Sequence, residues 1–255
     1  IVRILNPISK EYECMRTLIA PGLLKDIAYN LNRGERNVRF FSLGKTFSET
    51  RDGLPVEQFS LCLAMTGKER EYFWREATRE FDFFDLKGVV EGLAGVARLS
   101  MTVDGSAEPF LKKGKAADVF LAGEKAGWMG EMSDSVLKAY EIEQPVYCAE
   151  LQFDILVRKG DPEATYRPIS RYPQVVRDFS FYVSETVPIA SLTGIIEKVS
   201  PLVASVDVFD IFTKGRRSAA LRVVFQSYED TLRDEEVNEL QERIIQELTG
   251  VDGVT

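Results

Sequence analysis

Between residues 166 and 255 the apolar residues switch period repeatedly, and the order of the switches restricts the fold more than any other feature of the chain. A strand-like run at 178–183 leads to a helical stripe of Ile189, Leu192, Ile195, Ile196 and Val199, opened by Pro188 and stopped before Pro201. Runs at 206–212 and 219–227 pair across 213–218. A second stripe follows, with Val237, Leu240, Ile244 and Leu248, closed by Gly250. Thr231 with Asp234 three residues on reads as a capping box, and Asp234, Glu235 and Glu236 complement the helix N-terminus. Strand–helix–strand–strand–helix is the order of a split βαβ domain, with helices on one face of a small sheet. The fourth strand of a complete βαββαβ unit starts near Gly253, so with Thr255 last that edge strand is expected to be missing or truncated.

Strand alternation sorts the side chains. Phe179, Phe181 and Val183 share a face, as do Leu221, Val223 and Phe225, and these sets belong under the helices. The open face then offers Ser180, Tyr182, Arg222 and Gln226, with Phe212 alongside. An aromatic ring stacks a base and an arginine meets a phosphate or a base edge, which is how single-stranded RNA is held. Arg167, Arg171 and Arg177 at one edge, with Lys214, Arg216 and Arg217 in the 213–218 loop, would grip phosphates. The RNA-binding candidates are Arg177, Tyr182, Lys214, Arg216 and Arg222. The competing reading is an ordinary polar face with solubilising loop charges. Composition favours it: net charge is −8, and residues 166–255 hold 14 acids against 10 bases. Six of those acids fall in 234–247, on one helix, so the strands are less acidic than the total.

Upstream, a helix from Pro21 carries Leu23, Leu24, Ile27, Ala28 and Leu31 and ends near Gly34. Ser9 is a helix-cap candidate with Tyr12 at N3. Residues 38–47, 58–65 and 146–153 read as strands. Gly123-Glu124-Lys125 turns 118–121 into 126–132, and a helix carrying Val89, Val90, Leu93, Ala94 and Ala97 follows Gly88. These elements describe an antiparallel or mixed sheet with a few helices, an α+β fold. The domain boundary falls at Gly160-Asp161-Pro162, giving domains at 1–155 and 166–255 with a linker at 156–165.

Histidine is absent, which removes every catalytic arrangement built on imidazole. Cys14, Cys62 and Cys148 are too far apart in sequence for a disulfide framework or zinc knuckle, and suit a reducing cytoplasm. No apolar run reaches a membrane span of roughly 18 residues. Asp82-Phe83-Phe84-Asp85 suggests paired carboxylates, set against an Asp cap on the next helix with both rings in the core. Arg16 and Arg33 are candidate phosphate ligands, set against surface salt bridges. Tyr72-Phe73-Trp74, Trp128 and Met129 read as core or interface. The chain begins at Ile1 rather than Met, as a fragment or processed protein does.

Several segments, in order, carry a resemblance. Asn6-Pro7-Ile8-Ser9, Met15-Arg16-Thr17, Pro21-Gly22-Leu23-Leu24 and Asn32-Arg33-Gly34 resemble the start of the synthetase-like module in the bacterial phenylalanyl–tRNA synthetase β-subunit family. So do Asp82-Phe83-Phe84-Asp85-Leu86-Lys87-Gly88, Gly127-Trp128-Met129-Gly130-Glu131, and Val146-Tyr147 with Glu150-Leu151. Tyr172-Pro173, Arg177-Asp178 and 231–237 resemble the family's ferredoxin-like anticodon-binding domain.

The resemblance implies a class II synthetase-like antiparallel module followed by a ferredoxin-like βαββα(β) domain. It implies a non-catalytic module that packs on a catalytic α subunit in an α2β2 enzyme, while 166–255 bind the anticodon arm of tRNA(Phe). ATP, Mg2+ and phenylalanine belong to the holoenzyme, none bound here, and no membrane or DNA partner is implied. The strand at 38–47 lacks the arginine and loop acid of a class II motif 2, and 146–153 lacks the glycine and arginine of motif 3, so no catalytic residue is expected. Where the family often has His-Pro after Gly-Trp-x-Gly-Glu, this chain has Ser133-Asp134. The alternative is an amino-acid-sensing domain on the same ferredoxin-like frame; a carboxylate hydrolase at Asp82 and Asp85 is remote.

Overall fold

The computed structural model describes every residue except 11, 12, 50–53, 72, 73, 76, 162, 164, 165, 167 and 214, together with the side chain of Glu49. It divides into two compact units, residues 1–164 and 165–255. Both are α+β with antiparallel sheets.

The first unit runs α1 (Ala20–Leu31), β1 (Val38–Glu49), β2 (Pro55–Thr66), α2 (Phe83–Val96), β3 (Met101–Gly105), β4 (Leu111–Leu121), β5 (Glu124–Met132), α3 (Asp134–Ala139), β6 (Val146–Gln152) and α4 (Phe153–Lys159). Its sheet has the order β1-β2-β6-β5-β4-β3. Helices cover both faces, which is why β6 and residues 60–66 of β2 are buried almost residue after residue rather than alternately. Leu61, Leu63, Met129, Tyr147 and Leu151 pack with Leu86 and Val90 of α2 and Ile155 of α4. Cys62, Ala64, Trp128 and Cys148 pack with Leu23, Leu24 and Ile27 of α1 on the other side. Gly127 has no alternative at its position: a Cβ there would overlap the Glu150 carbonyl of the neighbouring strand.

Asp82 is the N-cap of α2, accepting from the amides of Phe84 (2.8 Å) and Asp85 (3.2 Å), while Asp85 accepts from the Asp82 amide (2.8 Å). This is the capping role rather than paired-carboxylate chemistry. Phe83 packs against the core, but Phe84 and Val89 point to solvent, because Leu86, Val90 and Ala94 occupy the buried stripe. The β4–β5 turn is the two-residue Ala122-Gly123, with φ of 47° and 77°, so Glu124 and Lys125 already belong to β5 and the expected turn is displaced.

A 3-10 turn opens at Lys10, directly after Ser9, and its continuation at 11 and 12 lies outside the described residues, while Arg3 bridges Cys14. Tyr12, its expected N3 partner, and Tyr72 and Phe73 lie outside the described residues. Trp74 is exposed and Trp128 buried. Helix α4 extends to Lys159 with Ile155 and Leu156 buried, so the stretch expected as linker opens inside a helix. Arg16 donates to the Lys45 carbonyl (2.7 Å) and Arg33 lies 3.4 Å over the Tyr29 ring, and among the described residues neither makes the expected salt bridge.

The second unit runs β7 (Val175–Tyr182), α5 (Ile189–Val199), β8 (Val203–Phe212), β9 (Ser218–Phe225) and α6 (Asp234–Thr249), with sheet order β7-β9-β8. Phe179, Phe181, Leu221, Val223 and Phe225 meet Leu192 and Ile196 of α5 and Val237, Leu240 and Ile244 of α6. The cap of α6 is Arg233, not Thr231. The Glu236 carboxylate accepts from the Arg233 amide (3.0 Å), and Leu232 and Val237 pack in one cluster as a staple around the first turn. Val254 bridges Val183, and the Tyr182 and Thr255 backbones exchange hydrogen bonds of 2.8 and 2.9 Å, so 253–255 hold the fourth-strand edge beside β7.

Candidate nucleic-acid interface

Because both helices of the second unit lie on one side of its sheet, the other side is open. Strand register arranges that open face in rows across β7, β9 and β8. Tyr182, Ser218 and Phe212 form one row, Ser180, Ala220 and Asp210 the next, then Asp178, Arg222 and Asp207. Tyr182, Phe209 and Phe212 are each about half exposed (50%, 53% and 54%), leaving ring surface for a stacking partner.

The candidates part company here. Tyr182 and Arg222 are on the open face, and Arg216 joins them from the β8–β9 loop with its guanidinium 5.4 Å from the Tyr182 ring centroid. Arg177 is on the other side: it shares parity with Phe179 and Phe181, pairs in register with Val223, and sits 3.7 Å from Asp234 at the start of α6. It cannot act with the open-face set. Lys214 and Arg167 lie outside the described residues. Arg217 is committed to the Ser184 and Val187 carbonyls (2.8 and 3.1 Å). Gln226 is buried, its amide nitrogen donating to Ser170 Oγ and the Tyr172 and Ser227 carbonyls, because β9 ends at Phe225 and the chain folds back.

Charge on the open face is acidic overall, with Asp178, Asp207 and Asp210 around Arg222. Arg222 donates from Nε and Nη2 to the two oxygens of Asp178, both at 2.8 Å. That hydrogen-bonded pair holds the Asp178 carboxyl below its usual range and raises the guanidinium. Asp210 has no ion-pair or hydrogen-bond partner among the described residues. A surface of exposed rings and carboxylates repels phosphate and suits bases, whose faces stack and whose amino and imino groups donate. Phosphate is better met at the loop, where Arg216 stands. Sequence reasoning passed over Phe209 and Asp210, and Phe212 entered it only alongside.

The first unit's titratable clusters are satisfied internally except at Asp118, which pairs with Lys125 through one oxygen while the other is buried without a hydrogen-bond partner among the described residues. Glu150 accepts from the amides of Ile19 (2.9 Å) and Ala20 (2.9 Å), and burial pushes its carboxyl up. Cys62 and Cys148 are 3.5 Å apart at sulfur; the hydrogen bond between them and burial push the Cys62 thiol up. Glu131 is buried between Lys112 (2.9 Å) and Lys115 (2.6 Å). Burial works upward on it, but the two ammonium groups outweigh that and hold the carboxyl low. Asp85 is likewise held low by its pairing with Arg79. Among the described residues no group of three or more Cys, Asp or Glu is arranged to hold a metal ion, and no helix is long and apolar enough to cross a membrane.

Residues 1–153 match the family model described as the phenylalanyl tRNA synthetase beta chain CLM domain, and 170–254 match the ferredoxin-fold anticodon binding domain. Among curated proteins, the phenylalanine–tRNA ligase beta subunit of Syntrophotalea carbinolica is 33% identical over 256 residues, covering 97% of this chain and 32% of that protein. The subunits of Chlorobium chlorochromatii and Symbiobacterium thermophilum are each 34% identical over 94% of this chain, covering 32% and 28% of their own lengths. The chain thus spans about a third of the length of the curated relatives it matches.

Proposed function

The chain belongs to the phenylalanyl–tRNA synthetase β-chain family, and from that membership we propose that it is a non-catalytic part of phenylalanine–tRNA ligase. In this reading the ferredoxin-like domain, residues 166–255, binds the anticodon region of tRNA(Phe). Residues 1–155, the synthetase-like module, support assembly with the catalytic α subunit of an α2β2 enzyme. The setting is the cytoplasm, which suits the free thiols of Cys62 and Cys148.

One observation carries the RNA reading: three half-exposed rings share an open face with Asp210, and Arg216 stands at the end of that face. Bases stack on Phe212 and Tyr182 and donate to Asp210, and the backbone runs past Arg216. Stacking of this kind needs no base identity, whereas a carboxylate selects for a base edge that donates.

ATP and Mg2+ serve the holoenzyme, and we place no step of their chemistry on this chain. The polar groups near β1 and β6 do not fit a nucleotide–metal complex: Glu150 is committed to the start of α1, Lys45 to Glu57, and Arg16 to the Lys45 carbonyl. The chain's contribution is to hold tRNA, lowering its KM without touching amino-acid activation.

The test is aminoacylation by enzyme assembled with full-length β chains carrying Phe212→Ala or Asp210→Asn. Losing one stacked base, worth about 1–3 kcal/mol, should raise the KM for tRNA(Phe) roughly 5- to 150-fold. Phenylalanine-dependent pyrophosphate exchange should be unchanged. A wild-type KM in both variants removes the open face from tRNA binding.

A further inference from the structure

We infer that Arg222 is a positioning residue, clamped by Asp178, and that the group it positions is Phe209, an additional base-stacking platform on β8. The inference rests on the tRNA reading above and deepens it.

Phe209 reaches the open face through an irregularity in β8. The pairing passes from Val208↔Leu221 directly to Asp210↔Ala220, so Phe209 has no partner in β9. A bulge of this kind re-aims side chains and steepens the local twist. Here it brings Phe209 beneath the Arg222 guanidinium, 5.1 Å from ring centroid to Cζ, and Arg222 is an open-face residue. More than half of Phe209 is still exposed in this position (53%). With Tyr182 and Phe212, also about half exposed on this face, it makes a set of exposed rings, the kind of apolar surface that marks a binding site.

Arg222 is poorly placed to take a phosphate. Two of its nitrogens form the bidentate pair with Asp178, and Asp207 faces it in register from β8. An approaching phosphate would meet two carboxylates before it met the guanidinium. What the pair does instead is fix the plane of the guanidinium, which stacks on the ring and stops it rotating away. Arg216 makes the useful contrast. It also lies over an aromatic ring, that of Tyr182, yet among the described residues it has no carboxylate clamp. The same side-chain pairing therefore serves two purposes: Arg216 remains available to phosphate, and Arg222 is held.

The two roles separate in the salt dependence of binding, since each phosphate contact to a single strand contributes about 0.7 to the slope of log K against log salt concentration. The experiment measures tRNA(Phe) binding across salt concentrations, using enzyme assembled from full-length β chains and their α subunit. Arg216→Gln should lower the slope by about 0.7. Arg222→Met and Phe209→Ala should each weaken binding about fivefold or more with the slope unchanged. The double variant should be no weaker than Phe209→Ala alone, and Phe209→Tyr should bind as wild type.

A reduced slope for Arg222→Met would make it a phosphate ligand and overturn the inference, as would full additivity of the two substitutions. Wild-type binding by Phe209→Ala, with Phe212→Ala and Tyr182→Ala impaired, would overturn this inference alone. If those two also bind as wild type, the tRNA reading itself fails.

Discussion

Replacing Glu150 should separate two effects that one carboxylate combines. Helix α1 has no side-chain cap of its own, so its N-terminal amides must be satisfied elsewhere. Their partners are all identifiable. Glu150 takes those of Ile19 and Ala20, Pro21 has none to offer, and Gly22 and Leu23 bond the Ile19 carbonyl at 2.9 and 3.5 Å. Ile19 and Ala20 are both 3% exposed, so water cannot replace the carboxylate without opening the core. Glu150→Ala strands two buried donors at about 1–3 kcal/mol each, so a loss of about 2–6 kcal/mol is expected.

Glu150→Gln keeps an acceptor oxygen and sheds the cost of burying charge. It should therefore be much milder than Ala, and milder still as pH rises. The sign follows from linkage. Burial raises the Glu150 carboxyl above its ordinary 4.5, so the folded state binds the proton more tightly than the unfolded chain. The group's contribution is full below that ordinary value and is lost as pH climbs through the raised one. Both tryptophans, Trp74 and Trp128, lie in residues 1–164, so tryptophan fluorescence during urea unfolding reports on that unit alone. An Ala variant within ~0.5 kcal/mol of wild type would refute the account, as would a Gln variant that loses more stability, relative to wild type, at pH 8 than at pH 5.

Other consequences follow from packing and charge. A Cβ at Gly92, on the exposed side of α2, meets no atom within 4 Å, so Gly92→Ala should stabilise the first unit by about 0.5–1 kcal/mol in the same assay. Gly127→Ala should destabilise it by several times that amount, because the methyl overlaps the neighbouring backbone. Glu131 is held below its usual range, so its contribution is present above the ordinary 4.5 and lost as pH falls through the lowered value. Glu131→Gln should flatten the acid limb of the stability curve; an unchanged limb would assign acid sensitivity elsewhere.

How much of this was legible in the sequence depended on element length. The stripes of α1, α5 and α6 are long enough for the 3.6 period to declare itself, and Leu192, Ile196, Val237 and Ile244 are all fully buried as that period requires. Helix α4 has seven residues, and Phe153, Ile155 and Leu156 fit the end of a strand as well as a helical turn. Parity placed Tyr182 and Arg222 correctly, and the same rule would have put Arg177 with Phe179. A bulge has no signature in alternation, so Phe209 was hidden until the β8–β9 register was seen, whereas Asp210 shares the parity of Phe212 and was within reach of the same rule. Gln226 had the right parity but lies one residue beyond the strand, where its amide serves Ser170 and Tyr172.

The central claim is that the open face of residues 166–255 reads bases of the anticodon loop. The most direct measurement is binding of a labelled anticodon stem–loop of tRNA(Phe) to the 255-residue chain, beside the same stem–loop with its three anticodon bases replaced by abasic sites. The account predicts that the replacement weakens binding about tenfold or more at moderate salt, since stacking and the Asp210 contact both act on bases. Equal affinity for the two stem–loops would contradict it.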